Sequence, residues 1–456
     1  MTHHHHAGSA IVIGGSIAGL LAARVLSEHF AQVIILERDD LTGGTEPRKG
    51  IPHAQHAHAL LAGGLLGIEG LFPGISQRLV ALGAVRGQGR FFSGGGYHAR
   101  RAGGPGGLFV SRPLLEAEIR ARVRGLPNVA IVEHVDARGL AADASQTQVT
   151  GVCVVRRDGA GDEEVIPADL VIDCSGRGSR ASDWLAALGF PAPEVERVDV
   201  GMGYSTRLYR REPEHLTGDV MINIAPSIDN RRACGMLAQE GDRWIVTLAG
   251  YFGDHPPTDA QGYVSFARTL PVPDVYDVIH AAEPLTDPVA YRFKANQWRH
   301  YEWLDRFPQG FLVLGDAIAS FTPVYGQGMT VAALEATALA RCLDDTKDDL
   351  AARFFAEARA IIAVAWSITV GNDLRLSPQA TRPAAMRAIG WYTSRLQLAA
   401  RYDPVLADAF MQVANFLAPP PSLLRPGIAL RVLRGNLHPP QLRRQATTEV
   451  PEPARM

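Results

Sequence analysis

The chain has 456 residues, about three times the ~150-residue span of one domain, with 46% hydrophobic and 20% charged residues. That balance excludes a largely disordered chain, and a formal net charge of -2 leaves no basic field of the kind nucleic-acid binding uses, so no nucleic-acid partner is expected. Cys153, Cys174, Cys234 and Cys342 lie far apart with no C-x-x-C pair; neither a disulfide scaffold nor a metal site is expected, and a reducing, cytoplasmic setting is.

The histidine run after Met1-Thr2 reads as a tag or leader, and residues 1–7 are expected to be disordered. Residues 10–14 (AIVIG) read as a short buried strand. Residues 17–29 read as a helix with Leu20, Leu21, Val25 and Leu26 on its apolar face, and 33–37 (VIILE) as a second buried strand. The chain therefore opens β-α-β. Residues 48–64 (RKGIPHAQHAHALLAGG) read as a turn and then an apolar helix, 87–107 as loop or irregular strand, and 112–124 (RPLLEAEIRARVR) as an amphipathic helix with Pro113 in its first turn. Strands are expected at 129–133, 151–156 and 170–174.

From about Val198 to Tyr251 strands alternate without intervening helices (VDVGMGYSTRLY, VMINIA, RWIVTLAGYF), the pattern of an antiparallel sheet. Two helices follow at 259–270 and 273–283, then a long strand at 289–301, a buried strand at 311–314, and helices from Thr330 onward. The longest apolar run, 360–370, ends at Asn372 and Asp373 and falls short of the ~20 residues of a spanning helix. Residues 422–444 mix apolar side chains with Arg425, Arg431, Arg434, Arg443 and Arg444. The pattern reads as a packed helix with a solvated arginine side, a membrane or carrier face being the alternative. Residues 447–456 are expected to be disordered.

Two motifs carry chemistry. Gly14-Gly15-Ser16-Ile17-Ala18-Gly19 sits at the first strand-to-helix turn, a dinucleotide fingerprint with Ser16 in place of the middle glycine. Gly14 permits the turn, Ser16 is small enough for a pyrophosphate to approach the backbone, and Gly19 lets the helix pack on the sheet. The helix start at Ile17 and Ala18 offers free N–H groups to phosphate, and Glu37, followed by Arg38, closes the second strand where a carboxylate can bond a ribose diol. Far downstream, residues 310–329 (GFLVLGDAIASFTPVYGQGM) place Gly315-Asp316 at the end of a strand. Pro323, Tyr325, Gly326, Gln327, Gly328 and Met329 then open a helix whose N–H groups can face a developing negative charge.

In this order and separation the motifs resemble the FAD-dependent monooxygenases of the p-hydroxybenzoate hydroxylase fold, over about residues 8–340. Gly14, Ser16, Gly19 and Glu37 match the family's ADP-binding fingerprint, and Gly315 and Asp316 its ribityl-binding motif. Residues 169–180 (DLVIDCSGRGSR), with Gly176, match its middle motif, Ser175 standing where Asp is usual. Arg112 matches the arginine that the family places on the FAD phosphates or ribityl chain. The runs at 47–61, from Pro47, at 174–180 and at 321–329 resemble most the olefin epoxidases of bacterial polyether and other natural-product pathways.

The resemblance implies a mixed α/β (α+β) fold. It has a Rossmann-like FAD-binding domain with a parallel sheet (8–85, 108–190 and 303–345), an inserted antiparallel-sheet substrate domain (86–107 and 191–302) and a C-terminal helical region (346–446). It implies FAD as cofactor and oxygen transfer from a flavin C4a-hydroperoxide to a small lipophilic substrate, a polyene or polyketide, most simply as alkene epoxidation. An aromatic hydroxylase of the same fold and an isoprenoid double-bond reductase are the alternatives, with a non-catalytic flavin-binding protein more distant. Ser175 weakens the expectation of NAD(P)H docking, so electrons come from NAD(P)H or from a partner flavin reductase. The segment Pro323, Tyr325, Gly326, Gln327 and Gly328 is the expected catalytic loop.

No second glycine fingerprint, no W-x-W-x-I-P run and no lysine placed to carry hypohalite is found. Arg48 reads either as a phosphate or flavin contact or as an exposed cation. His56 and His58 face the flavin or are simply bonded in place on a packed helix. Met202, Tyr204, Met221, Met236 and Phe252 are candidates for the pocket wall, although alternation alone leaves their face open.

Overall fold

The computed structural model describes residues 6–41, 44, 48, 50–100, 106–157, 161–345, 349–377 and 383–437. The leader at residues 1–5, Pro47, residues 101–105 of the glycine-rich patch and the segment 438–456, with Arg443, Arg444 and the expected disordered tail, lie outside them.

Strand β1 (His6–Ile13) starts inside the segment expected to be disordered. Its residues Ala10, Ile11 and Val12 are fully buried, as a central parallel strand covered on both faces requires. Helix α1 (Ile17–Leu26) and strand β2 (Phe30–Leu36) complete the opening unit. The segment after Arg48 departs from expectation. It forms a short 3-10 turn at Pro52–Gln55 and then runs extended to helix α2 (Ala62–Leu71), so His56 and His58 lie on extended chain, not on a helix. The Ala57 amide donates to Thr247 Oγ1 at 2.9 Å instead of closing a helical turn.

Helix α3 (Arg112–Arg124) starts where the sequence places it, with Ser111 Oγ accepting from the Leu114 amide at 3.2 Å. Strands β3 (Val129–Val132), β4 (Leu170–Asp173), β5 (Glu194–Arg210), β6 (Arg232–Gln239), β7 (Arg243–Gly250), β8 (Val289–His300) and β9 (Phe311–Val313) follow. Helices α4 (Gly328–Asp344) and α5 (Leu350–Leu376) lead into three more helices at Ala384–Ala400, Pro404–Ala414 and Pro426–Leu437. Helix α5 is long and apolar enough to cross a bilayer by length and composition alone. Phe354, Phe355, Ile362, Ala365 and Trp366 nevertheless pack it into the protein core, so no membrane span is established.

The fold is mixed α/β. Among the described residues, a five-stranded parallel sheet runs β9-β4-β1-β2-β3. Ile13 pairs with Asp173 on one side and Leu36 on the other, and Asp173 pairs with Val313. The C-terminal ends of four strands therefore finish on one edge, carrying Gly14, Glu37, Cys174 and Gly315. An eight-stranded, mostly antiparallel sheet stands beside it, with β8-β5-β7-β6 as its centre. One side of that sheet, with Ile222, Met236, Trp244 and Val246, packs against the helices at Ala260–Ala267 and Asp274–Ala281. Its other side, with Met202, Tyr204, Ala233, Ala249 and Phe293, turns toward the edge where the parallel strands end. Ligands of open α/β sheets bind at such an edge.

Candidate functional site

A cavity of about 590 Å³ lies between the C-terminal edge of the parallel sheet and the inner face of the antiparallel one. At one end Gly14, Ser16, Ile17 and Ala18 present the start of α1, with Glu37, Arg38 and Arg48 beside it. Gly14 takes a φ of 104°, a left-handed conformation that only glycine adopts readily. Glu37 Oε2 accepts from the Gly15 amide at 2.8 Å and Oε1 from the Asp39 amide at 2.9 Å, which fixes the carboxylate at the cavity wall with lone pairs to spare.

Ser16 does more than fit a small space. Its hydroxyl donates to Glu116 Oε2 at 2.7 Å and accepts from Arg112 Nη2 at 3.2 Å. Glu116, buried on α3, also pairs with Arg48 Nη2 at 2.6 Å and Arg120 Nη1 at 3.3 Å. Arg48 is thus held between Glu37 and Glu116 and is no exposed cation; these carboxylates keep its proton on more firmly than burial takes it off. The i,i+4 spacing of Arg112, Glu116 and Arg120 on one helix face was the sequence signal for this cluster, and the motif reading passed over it.

The other end is built by β9 and α4. Asp316 and the segment Pro323, Gly326, Gln327, Gly328 and Met329 line the cavity, so the N-termini of α1 and α4 open onto one space. Burial raises the Asp316 carboxyl above its ordinary range, and Arg112 and Arg177 pull it back down. The Gly326 amide is already bonded to the Pro323 carbonyl at 3.0 Å. The amide donors left for a ligand are therefore in the first turn of α4, at Gly328 and Met329. Tyr325 departs from the expected catalytic loop: it is not among the lining residues, and its hydroxyl donates to Asp373 Oδ1 on α5 at 3.1 Å.

Histidines form the bridge between the two sheets. His58 Nδ1 must donate to the His56 carbonyl at 2.8 Å, since a carbonyl only accepts, and its Nε2 then accepts from Arg112 Nη1 at 3.2 Å. His58 is bonded in place. Burial holds the His53 imidazole down at about 3 and His56 at about 4, and puts His58 well below the usual range, so all three are neutral at pH 7.

In the middle motif, buried Asp173 accepts from the Ser175 amide at 2.9 Å and the Ser179 hydroxyl at 2.6 Å. Its loop thereby carries Ser175, Gly176 and Arg177 to the cavity wall. Gly19 lies behind the first turn, where a Cβ would stand 1.8 Å from the Gly14 carbonyl oxygen. Among the wall candidates, Met202 and Tyr204 face the cavity with Tyr291 and Phe293, whereas Met221, Met236 and Phe252 do not line it. No group of three or more His, Cys, Asp or Glu side chains could hold a metal ion among the described residues.

Residues 10–192 match the model of the FAD dependent oxidoreductase family. Over 90% of its length the chain is 33% identical to Protein Rv3254 of Mycobacterium tuberculosis, covering 89% of that protein. The chain belongs to the FAD-dependent oxidoreductase family. A flavoprotein/dehydrogenase from Cytophaga hutchinsonii superposes with a TM-score of 0.65 at 14% identity, over 93% of this chain and 96% of that one. The p-nitrophenol 4-monooxygenase PnpA of Pseudomonas putida gives 0.63 at 16% identity, over 89% and 98%. Two proteins described by such different reactions share this fold, so the likeness speaks for architecture alone.

One buried acid of this oxidoreductase stands behind Asp316. Glu335 on α4 accepts from the Gly315 amide at 2.7 Å while its Oε1 has no partner, and burial pushes its pKa up to about 8 from 4.5. The folded protein therefore binds a proton at neutral pH that the unfolded chain has released. Stability from this group is full below about 4.5 and is lost as pH rises to about 8, at roughly 1.4 kcal/mol per pKa unit. Glu335→Gln should keep the Gly315 bond and flatten that slope. Urea unfolding between pH 5 and 9 checks it; equal slopes in both proteins would mean that Glu335 is ionised in the fold.

Proposed function

We propose that this oxidoreductase is a FAD-dependent monooxygenase that transfers one atom of O2 to a lipophilic substrate, with an alkene as the reacting group and an epoxide as product. The observation that carries the reading is the convergence of two helix N-termini on one cavity. The α1 end lies at a glycine turn beside a ribose-spaced carboxylate, and the α4 end opens beside an uncharged, largely apolar sheet face.

The residues present fit FAD. The α1 turn has no room for side chains at Gly14 and Gly19, and beside it Arg112 Nε is buried 4.0 Å from Glu116 Oε2 with no hydrogen bond made, as a pyrophosphate site requires. In this reading Gly14, Ser16, Ile17, Ala18 and Arg112 hold the pyrophosphate, with Gly19 behind them. Glu37, Arg38 and Arg48 hold the ADP ribose end, and Gly176 and Asp316 the ribityl chain. Gly328 and Met329 turn their amides to the flavin ring. Bound and reduced, FAD supplies the activation of O2. The chain's residues orient the partners, exclude water and stabilise negative charge at the start of α4.

The balance is substrate, O2, two electrons and two protons giving oxygenated product and water. The sheet wall offers no carboxylate or lysine at the substrate among the described lining residues, which suits an alkene because its oxygenation removes no proton. Ser175 offers no carboxylate where the family's middle motif has one, which supports a separate flavin reductase, rather than direct NAD(P)H docking, as electron source.

The test is chemical. The purified chain should bind one FAD without a covalent link. Supplied with a flavin reductase and isotopically labelled O2, it should place one labelled atom in epoxides from an alkene panel. Absence of FAD binding would end the flavoenzyme reading, and label found only in phenols would replace epoxidation by aromatic hydroxylation.

A further inference from the structure

The sheet face turned to the cavity is not uniformly apolar, and the register shows where it changes. Asn223 pairs with Gly235, Gly235 with Thr247 and Thr247 with Thr206. These four positions form one row straight across four strands, on the same face as Tyr204 and Ala249. On either side of the row the cavity wall is apolar, with Ala233, Ala249 and Tyr204 to one side and Leu237 to the other.

Each member of the row has a distinct state. Thr247 Oγ1 accepts from the Ala57 amide at 2.9 Å and lies 2.6 Å from Thr206 Oγ1, which lies 2.7 Å from His56 Nδ1. The Ala57 donor fixes one end of this chain. It leaves the Thr247 hydroxyl one further interaction to offer the cavity: an open lone pair if Thr247 donates to Thr206 and Thr206 to His56 Nδ1, or its proton if the chain runs the other way. Asn223 lines the same cavity, and its amide makes no hydrogen bond among the described residues. Between them Gly235 contributes no side chain, and a Cβ there would meet nothing nearer than the Ala57 Cβ at 4.0 Å. With neighbouring strands about 4.8 Å apart, the result is an open slot flanked by a carboxamide and a hydroxyl, with no charge in it.

We infer that this slot is a recognition subsite for an uncharged oxygen function, a ketone or hydroxyl, on an otherwise lipophilic substrate. The inference rests on the cavity being the substrate chamber of a flavin monooxygenase, and it adds the substrate class. Asn223 can donate to a carbonyl or hydroxyl oxygen and accept from a hydroxyl, while Thr247 accepts from a hydroxyl or, with the chain reversed, donates to either oxygen. A purely hydrocarbon ligand would bury the Asn223 amide unpaired, which selects against it.

Calorimetric titration of the FAD-loaded protein with benzylacetone, its alcohol and butylbenzene tests the subsite, because these probes share size and aromatic ring. The ketone and the alcohol should bind about tenfold more tightly than the hydrocarbon, as one net hydrogen bond implies. Asn223→Leu should reduce the preference several-fold without weakening butylbenzene, Thr247 keeping its own share. Gly235→Val, which fills the slot at a strand position with room for a side chain, should weaken all three probes while FAD affinity stays unchanged. Equal affinity for the three probes in the wild type, or a preference unchanged in Asn223→Leu, would overturn the inference. Oxygen uptake separates the two readings: intact probe preferences with no substrate-dependent O2 consumption would leave the slot standing and remove the monooxygenase.

Discussion

Gly19→Ala is expected to reduce FAD affinity by at least 100-fold and to cost several kcal/mol of stability. The added Cβ would stand 1.8 Å from the Gly14 carbonyl oxygen and 3.1 Å from Val12 Cγ1. Both contacts are fixed: the first is backbone of the turn, and the second belongs to the fully buried centre of β1. Relief therefore requires α1 to lift off β1. That movement opens the packing of Leu20, Leu21 and Val25 and removes the helix start from the cavity in one step. Overpacking of an ordinary core site costs about 1–3 kcal/mol, and a clash with backbone exceeds that because no rotamer change escapes it. Gly70 supplies the control: it lies exposed on α2, outside the cavity lining, and a Cβ there meets nothing within 4 Å, so Gly70→Ala should leave FAD affinity at the wild-type value and stability no lower. FAD retention on ultrafiltration and thermal unfolding measure both variants. A Gly19→Ala protein that holds FAD within a few-fold of wild type would place the pyrophosphate elsewhere.

The parallel sheet and its turn were legible because they rest on local rules. Buried parallel strands are continuous apolar runs, as in 10–14, 33–37 and 311–314, and each of the decisive residues stands directly at a strand end. Strand β6 was missed for the converse reason. Its sequence, RACGMLAQ, has no β-branched residue, and it is a strand because β7 and Met221–Ile224 pair with it on both sides, tertiary context overriding propensity. The same strand holds Gly235, so the substrate slot could not be read before the register was known. Orientation was equally hidden. Tyr325 shares a motif with Gln327 and Gly328, but one 3-10 turn at Pro323–Tyr325 aims it at α5 instead of the cavity. The apolar run ending at Asn372 and Asp373 was visible as a break; that Asp373 is the far anchor of the loop is a contact between segments, and no spacing rule reports it.

That anchor yields the second large effect. Asp373 is buried on α5 and accepts from Asn296 Nδ2 at 2.7 Å, Thr322 Oγ1 at 2.6 Å and Tyr325 Oη at 3.1 Å. The Thr322 amide also donates to Asn296 Oδ1 at 2.6 Å, and one turn earlier on α5 Thr369 Oγ1 donates to Gln327 Oε1 at 2.6 Å. The loop from Thr322 to Gln327 is thus held from behind, by side chains that do not line the cavity. Asp373→Ala leaves the buried Asn296 Nδ2, at about 1–3 kcal/mol, and the half-buried Tyr325 hydroxyl without their acceptor, while Thr322 Oγ1 keeps only Asn296 Oδ1 at 2.9 Å, and the loop should leave its place at the start of α4. The expected result is a drop in product formed per O2 consumed of tenfold or more, with electrons lost to hydrogen peroxide. FAD should stay bound within a few-fold, because the Gly14–Gly19 turn belongs to another element. Burial raises the Asp373 pKa to about 6 from 3.8, so the docked loop binds a proton that the free chain has released. Its hold is strongest below about pH 4 and weakens as pH rises through about 6. Asp373→Asn, neutral at every pH and keeping one acceptor, should retain much of the coupling and lose that pH dependence between 4 and 7. Coupling and peroxide yield measured across this range for the three proteins decide it. Full coupling in Asp373→Ala, or an unchanged pH profile in Asp373→Asn, would show that the loop is held by its own turn and by Thr369 alone.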